Sequence, residues 1–207
     1  GLSSMQIDDN SREFTCKREG PLDMRMDTGD SSTETAYDLL RRLKPKQLQS
    51  MLAENSGEVN AWEIATALLG KKGGVNIPET TVELAKRVRD TVRPLLQDKK
   101  QQPKKLSSGA VKKLLDSTVA RVMQAIRIEI NGEFRVLDKL LEDLPDMLVP
   151  NGRAVFLTFH SGEDRRVKKA FKAGFKSGIY SSWSSDVVRP LSTERRENKE
   201  LLSWSIC

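Results

Sequence analysis

The sequence predicts an α/β protein in which an all-helical domain interrupts a doubly wound sheet. Three observations favour this fold class. Helical periodicity fills the chain from about residue 35 to residue 98, and a second helical pattern begins at Val111. A Pro150-Asn151-Gly152 turn signal and an apolar run from Ala154 to Phe159 come next. The order of helix, turn, buried strand and polar loop is typical of a doubly wound sheet.

The segment of residues 1–35 carries little helical periodicity and is rich in Asp, Ser, Gly and Arg. Such a composition predicts long loops. Loops of this length are usually functional or disordered. We therefore separate residues 1–35 from the helical block that follows.

Four helices are predicted in that block. The first ends near Leu43, and Pro45 suits the first position of the second helix, which Gly57 ends. Gly70 closes the third helix, and Pro78 opens the fourth. The positions expected to face a shared core are Leu48, Met51, Leu52, Trp62, Ile64, Ala65, Leu68, Leu84, Ala85, Val88, Val92 and Leu95.

A polar and basic stretch, DKKQQPKK at residues 98–105, is typical of an exposed linker. It ends the inserted helical domain, which we assign to residues 36–106. For its lysines, a solvated linker and contact with a polyanion are equally good interpretations. These lysines are Lys99, Lys100, Lys104 and Lys105.

The last predicted domain covers residues 107–207. A long helix should run to Asn131-Gly132, and another should follow before the turn at Pro150. The segment from Arg153 to Phe159 is apolar enough for a buried strand, and Glu163 to Lys172 should be helical. A short strand is expected at Val187-Val188.

The composition limits the classes of function. The net charge of +6 favours polyanionic partners such as nucleic acid. No run of about 18 apolar residues exists, so no membrane span is expected. Cys16 and Cys207 are far apart and His160 is the single histidine, so neither a disulfide framework nor a metal site is expected.

Four motifs carry a resemblance to a known family. They read GLSSMQIDD at residues 1–9, GPLDMRMD at residues 20–27, QAIRIEINGE at residues 124–133 and FHSGEDRRVK at residues 159–168. In this order they are similar to motifs of the small-subunit ribosomal RNA methyltransferase H family, also called MraW. The resemblance implies a Rossmann-like class I methyltransferase fold and S-adenosylmethionine as cofactor. It further implies methylation of a cytosine N4 amine, with small-subunit ribosomal RNA and the ribosomal small subunit as partners.

Site residues also follow from the resemblance. Ser3 and Ser4 match the polar loop that accepts hydrogen bonds from the target amine, and Gln6 matches a cofactor contact. His160 ends the predicted strand, where open α/β sheets bind ligands, and is assigned to catalysis. The residues assigned to substrate binding or loop organisation are Asp23, Arg25, Asp27, Arg121 and Arg165.

Each assignment has a local alternative. The serines can stabilise a turn, and His160 can be a hydrogen-bonded histidine at the end of a strand. The charged residues of the second motif can form a cluster that holds the loop together, because arginine pairs bidentately with carboxylates.

The chain also departs from the family pattern. The family's glycine-rich cofactor loop lies upstream of the first motif, so we expect this chain to be an N-terminally truncated and inactive portion. Gly57-Glu58 are kept, but Val59 replaces a second carboxylate. Residues 117–123 keep only Arg121 of the usual stretch, and Gly162 stands where leucine is usual.

Two other functions stay open. One is a non-catalytic descendant that binds RNA or ribosomal subunits, and the other is a plain helical interaction module. The Ser-Ser-Met-Gln variant and the divergence indicate a mitochondrial or other organellar protein, with a cytoplasmic protein as the alternative. A homodimer also stays open.

Overall fold

The computed structural model describes residues 20–29, 32–70, 77–97 and 106–186, and the backbone of residues 205 and 206. The chain divides between Asn131 and Gly132 into two compact units, an N-terminal and a C-terminal unit. In chain order, the elements of the described residues are α1 (Ala36–Arg42), α2 (Pro45–Ser56), α3 (Ala61–Leu69), α4 (Thr81–Gln97), α5 (Ser108–Ile130), α6 (Glu133–Met147), β1 (Leu157–Thr158), α7 (Ser161–Lys176) and β2 (Ser205–Ile206).

The described residues of the N-terminal unit form a bundle of five helices. The long helix α5 packs against α1, α2 and α4, and α3 packs against α2 and α4. The fully buried side chains of this bundle include Leu39, Leu40, Leu48, Leu52, Ile64, Leu68, Leu84, Val88, Val92 and Ile126. Removing these apolar groups from water is the main driving force for the packing. The predicted core positions are confirmed except Trp62, which is 42% exposed, and Leu95, which is half-buried.

Helix ends follow local chemistry, with one correction. Pro45 is the first residue of α2, and Gly57 ends it in the left-handed conformation at φ 67°, as predicted. Pro78 does not open the fourth helix, because α4 begins at Thr81. The preceding Thr80 pairs with Pro21 as an isolated antiparallel bridge. This pairing keeps the chain extended after Pro78 and delays the helix.

The C-terminal unit contains α6, α7 and the two short strands, and α7 packs on α6. The prediction of a buried strand from Arg153 to Phe159 is wrong in extent, because β1 has two residues. It pairs antiparallel with β2. Within the predicted strand only Thr158 is buried, and Val155 is 72% exposed. A parallel strand is buried by neighbours on both faces, and the described residues contain no parallel sheet.

The fold class is therefore confirmed only in its helical part. The predicted helices on both sides of Gly132 are present, and the described residues are mostly helical. The compact units divide after Asn131, so α5 packs with the helical block. The division at residues 36 and 107 concerns where an insertion joins a parent domain, and it stays a prediction. None of the helices that the structure describes is long and apolar enough to cross a membrane.

Candidate functional site

Residues 20–27, the GPLDMRMD motif, form an ordered loop against the helical bundle. The backbone N–H of Leu22 donates to the carbonyl of Glu79 at 2.9 Å, and that of Thr81 donates to the carbonyl of Gly20 at 3.1 Å. On its other side, the carbonyl of Leu22 accepts from the N–H of Tyr37 at 2.8 Å. The side chains of Leu22 and Met24 are buried. The loop is therefore held by both the start of α1 and the start of α4.

A bidentate ion pair lies within this loop. The Arg25 Nε and Nη2 atoms donate to the two carboxylate oxygens of Asp23 at 2.7 and 2.8 Å. This side-chain hydrogen bonding holds the pKa of the Asp23 carboxyl below its ordinary value. Asp23 is therefore an ionised acceptor. Asp27 instead accepts from the N–H of Gly29 at 2.9 Å in an exposed turn.

The side chain of Asn131, at the end of α5, joins this loop. Its Oδ1 accepts from the N–H of Met26 at 2.7 Å, and its Nδ2 donates to the carbonyl of Met24 at 2.9 Å. Met24 has φ 63°, in the left-handed region that few residues other than glycine adopt. The loop therefore depends on a residue that lies more than a hundred positions further along the chain.

An open pocket of about 400 Å³ lies beside the loop. It is lined by Pro21, Leu22, Asp23, Thr35, Tyr37 and Glu79. Tyr37 offers an aromatic ring, and the guanidinium of Arg41 lies 5.7 Å from its centre. Asp23 and Glu79 offer carboxylates. A ring for stacking beside anionic acceptors suits a planar ligand that carries an amine.

His160 caps a helix in the C-terminal unit. Its Nδ1 accepts from the backbone N–H groups of Gly162 and Glu163 at 3.2 and 3.4 Å, at the start of α7. We assign the neutral ring its proton on Nε2, because Nδ1 is the acceptor. Glu163 completes this helix start, since its Oε2 accepts from the N–H of Phe159 at 2.8 Å. The geometry thus gives His160 a structural task beside its predicted catalytic one.

An aromatic and cationic cluster surrounds that cap. The ring of Phe134 lies 5.8 Å from the His160 ring, and the Arg166 guanidinium lies over Phe134 at 4.1 Å. Arg166 also pairs with Asp138 on α6. A Cβ on Gly162 would lie 2.7 Å from Phe134 Cζ, so the glycine leaves the space that this ring occupies. A larger residue at position 162 would require the Phe134 ring to move.

The other predicted arginines lie apart from the motif loop. Arg121 of α5 donates from Nε to Glu58 at 2.7 Å, and the Glu58 side chain is fully buried. Arg121 therefore organises the turn between α2 and α3. Arg165 is exposed on α7.

The structure brings together two of the predicted site residues, Asp23 and Arg25. Ser3, Ser4 and Gln6 lie outside the described residues, as do the lysines of the linker and Val187-Val188. Within the described ranges, no group of three or more His, Cys, Asp and Glu side chains comes together as a metal site would require. The roles assigned from the sequence stay predictions.

Sequence reasoning missed two functional candidates, Tyr37 and Asn131. Tyr37 follows the predicted start of a helix and gave no signal of its own. Asn131 lies in the third motif, and we treated it only as a helix end. The available signal was that Asn131 lies within one of the four family motifs, although it is far in sequence from the GPLDMRMD motif.

Comparison with known proteins shows the same family over most of the chain. The sequence profile of the MraW methylase family matches residues 1–182. A protein of Agathobacter rectalis named ribosomal RNA small subunit methyltransferase H 1 is 42% identical over 198 residues, which are 96% of this chain and 53% of that protein. Its namesake in Lachnoclostridium phytofermentans is 41% identical over 212 residues, which are 100% of this chain and 54% of that protein.

A third relative is ribosomal RNA small subunit methyltransferase H 2 of Alkaliphilus metalliredigens. It is 36% identical over 211 residues, which are 100% of this chain and 56% of that protein. The chain thus spans about half the length of the curated relatives it matches. Because the profile covers far more than half of its residues, the chain belongs to the MraW methylase family.

Proposed function

We propose that this chain is part of an S-adenosylmethionine-dependent methyltransferase that acts on the N4 amine of a cytosine in small-subunit ribosomal RNA. The family match over residues 1–182 carries the proposal. The relatives' printed name, ribosomal RNA small subunit methyltransferase H, supports the substrate class. The Rossmann-like class I fold with an inserted helical domain is part of the same proposal, as is the division at residues 36 and 107.

The pocket beside residues 20–27 is proposed to hold a base of the RNA. Asp23 is ionised and can only accept hydrogen bonds, and the amine of cytosine is a donor that carboxylates recognise. The ring of Tyr37 provides a face on which an unstacked base can lie. A uracil presents no amine at that position, so the carboxylates favour cytosine.

The proposed reaction needs help from polar groups because the cytosine amine is a poor nucleophile. Its lone pair is conjugated with the ring. Hydroxyl and carbonyl oxygens of Ser3 and Ser4 are proposed to accept from the amine and to align it for attack. The base must first leave its stack to reach a pocket. His160 is proposed to act in catalysis, as the family resemblance implies. Within the C-terminal unit it also fixes the start of α7, because its Nδ1 accepts from backbone N–H groups of that helix.

S-adenosylmethionine would supply the methyl group. The residues that line the pocket beside residues 20–27 include two carboxylates, Asp23 and Glu79, and no lysine or arginine that could pair with the cofactor's own carboxylate. The family resemblance assigns the cofactor contact to Gln6, which lies outside the described residues. The pocket residues act on the base rather than on the cofactor.

One experiment tests the base site on this chain. Tyr37→Ala should weaken binding of a short cytidine-containing RNA about tenfold, since stacking on an aromatic ring is worth about 1–3 kcal/mol per base. Tyr37→Phe should bind as well as the unchanged chain. Trp62→Ala is the matched control, because Trp62 is an exposed ring of the same unit that does not line the pocket. Equal losses for Tyr37→Ala and Trp62→Ala would refute the site.

A second experiment tests the activity. A protein expressed from the complete gene should transfer labelled methyl groups to small ribosomal subunits. Ser4→Ala should lower turnover more than cofactor affinity, because an interaction made mainly in the transition state behaves in that way. Gln6→Ala should raise the apparent Michaelis constant for the cofactor. Labelling of protein but not of ribosomal RNA would refute the proposed substrate.

The alternative is a non-catalytic descendant that binds RNA or ribosomal subunits. Calorimetric titration of this chain with S-adenosylmethionine should show no micromolar affinity under either function, so the two must be separated on the complete protein. An intact cofactor site in the complete protein would favour the enzyme. A mitochondrial or other organellar location and a homodimer remain part of the proposal, to be tested by import assays and by sedimentation.

A further inference from the structure

Asn131 makes more bonds than the end of a helix requires. The residue ends α5, and its Nδ2 donates to the carbonyl of Arg127 at 2.8 Å, as a local helix cap would. The same amide also donates to the carbonyl of Met24 and accepts from the N–H of Met26. These two bonds join positions 107 and 105 residues apart in sequence. A local capping role explains the first bond and leaves the other two unexplained.

The two long-range bonds fix a loop conformation that its own sequence disfavours. Met24 has φ 63°, and its side chain is buried. A left-handed methionine persists only when its surroundings over-determine it. Asn131 binds the carbonyl of Met24, before Arg25, and the N–H of Met26, after Arg25. The Nδ2 and Oδ1 atoms of the same amide thus fix the backbone from residue 24 to residue 26, and we call this pair of bonds the clamp.

This clamp sets the direction of Arg25 and through it the carboxylate of Asp23. With residues 24 and 26 fixed, Arg25 turns back onto Asp23, which receives its backbone N–H at 3.1 Å as well as two guanidinium N–H groups. Asp23 lines the pocket beside the loop. Asn131 thus helps to position the Asp23 carboxylate, although Asn131 itself does not line the pocket.

We propose that Asn131 is a positioning residue for base selection: its amide clamps residues 24–26 so that the Asp23 carboxylate is placed to accept from a cytosine amine. This inference rests on the proposed base site and adds to it a determinant of specificity. It assigns Asn131 no contact with the RNA.

The clamp can be tested by a substitution that replaces a single heavy atom. Asn131→Asp keeps the size of the side chain and the acceptor for Met26, but it loses the donor to Met24 and puts a negative charge beside two carbonyls. Asn55→Asp is the matched control. Asn55 is a buried amide that also donates to α5, to the carbonyl of Ala125 at 3.2 Å, and it does not line the pocket.

The readout is the ratio of affinities for two short RNAs that differ only in cytidine or uridine. The unchanged chain should prefer cytidine by about tenfold, as one carboxylate–amine contact would give. Asn131→Asp should bring this ratio close to one, and Asn55→Asp should leave it unchanged. Loss of stability alone would lower both affinities together and keep the ratio. A ratio kept by Asn131→Asp would overturn the inference.

Hydrogen exchange separates failure of the clamp from failure of the base site. In the unchanged chain, the Met26 amide should be protected, and Asn131→Ala should expose it while amides in the middle of α5 stay protected. An unprotected Met26 amide in the unchanged chain refutes the clamp without any variant. A protected amide in a chain that shows no preference between the two RNAs refutes the proposed base site and leaves the clamp standing as a structural feature only.

Discussion

Replacing Arg121 with methionine should destabilise the N-terminal unit by about 3 kcal/mol. The Glu58 side chain is fully buried, whereas that of Arg121 is 34% exposed. Methionine has a similar length and fills the apolar part of the site, but it has no donor. The substitution therefore leaves a buried carboxylate without its charged partner.

The magnitude follows from the bonds on each oxygen of Glu58. Oε1 accepts from the N–H and the side-chain amide of Asn60 at 3.0 and 3.3 Å, and both bonds remain after the substitution. Oε2 loses the Arg121 Nε at 2.7 Å. Breaking a buried ion pair on one side costs about 3–5 kcal/mol. The lower end applies here, because water reaches the arginine side of the pair.

Urea unfolding followed by far-ultraviolet circular dichroism measures this loss. Glu58→Gln added to Arg121→Met should recover about 2 kcal/mol, since no buried charge then remains. Arg89→Met is the matched control. It breaks an exposed pair with Asp116 that links α4 to α5, and such pairs contribute about 1 kcal/mol or less. Equal losses for Arg121→Met and Arg89→Met, or no recovery in the double variant, would refute the reasoning.

Three further predictions concern the start of α7 and the loop of residues 20–27. Gly162→Ala should lower the stability of the C-terminal unit by about 1–3 kcal/mol, because its Cβ meets the Phe134 ring at 2.7 Å, and thermal melts will show whether it does. His160→Ala should cost about 1 kcal/mol in the same assay and His160→Asn much less, because asparagine also caps helices. The folded-state pKa of Asp23 is lowered below 3.8 by Arg25, so this pair's contribution is present above about pH 4 and is lost as the pH falls through the folded value. Arg25→Gln should flatten that part of the acid dependence of the unfolding free energy, and an unchanged acid profile would mean that the pair adds no stability.

The helical bundle could be predicted from the sequence because each signal was local. Apolar residues recur at helical spacing along α2 to α5, and proline or glycine marks several ends. The start of α4 was misplaced because Thr80 pairs with Pro21, 59 positions away in the chain. A long-range pairing is not visible in the periodicity of apolar residues near the two paired positions.

The strand after the Pro150 turn shows the limit of an apolar pattern. The run from Ala154 to Phe159 has the composition of a buried strand, yet Val155 and Leu157 are largely exposed. An apolar composition indicates that a segment is suited to burial. Whether the segment is buried depends on the elements that pack against it. Short antiparallel pairing with β2 satisfies some backbone groups and covers little of the side chains.

The candidate site was predictable only where partners are close in sequence. Asp23 and Arg25 are two positions apart, so a bidentate pair could be expected from the motif itself. Tyr37 and Glu79 reach the same pocket from two different helix starts, and Asn131 reaches the loop from the end of α5. These contacts depend on how the helices of the bundle pack, which local sequence patterns do not indicate.

Departures from a family pattern nevertheless carried usable information about the structure. In two divergent stretches the chain keeps Glu58 while losing the adjacent carboxylate, and keeps Arg121 while losing its neighbours. In the structure these two residues are bonded at 2.7 Å. Removing one member of a buried ion pair while the other stays costs about 3–5 kcal/mol, so the loss of either residue alone destabilises the unit. The neighbouring Val59, where the resemblance implies a second carboxylate, is 85% exposed. Residues that persist together within altered surroundings are therefore candidates for direct contact.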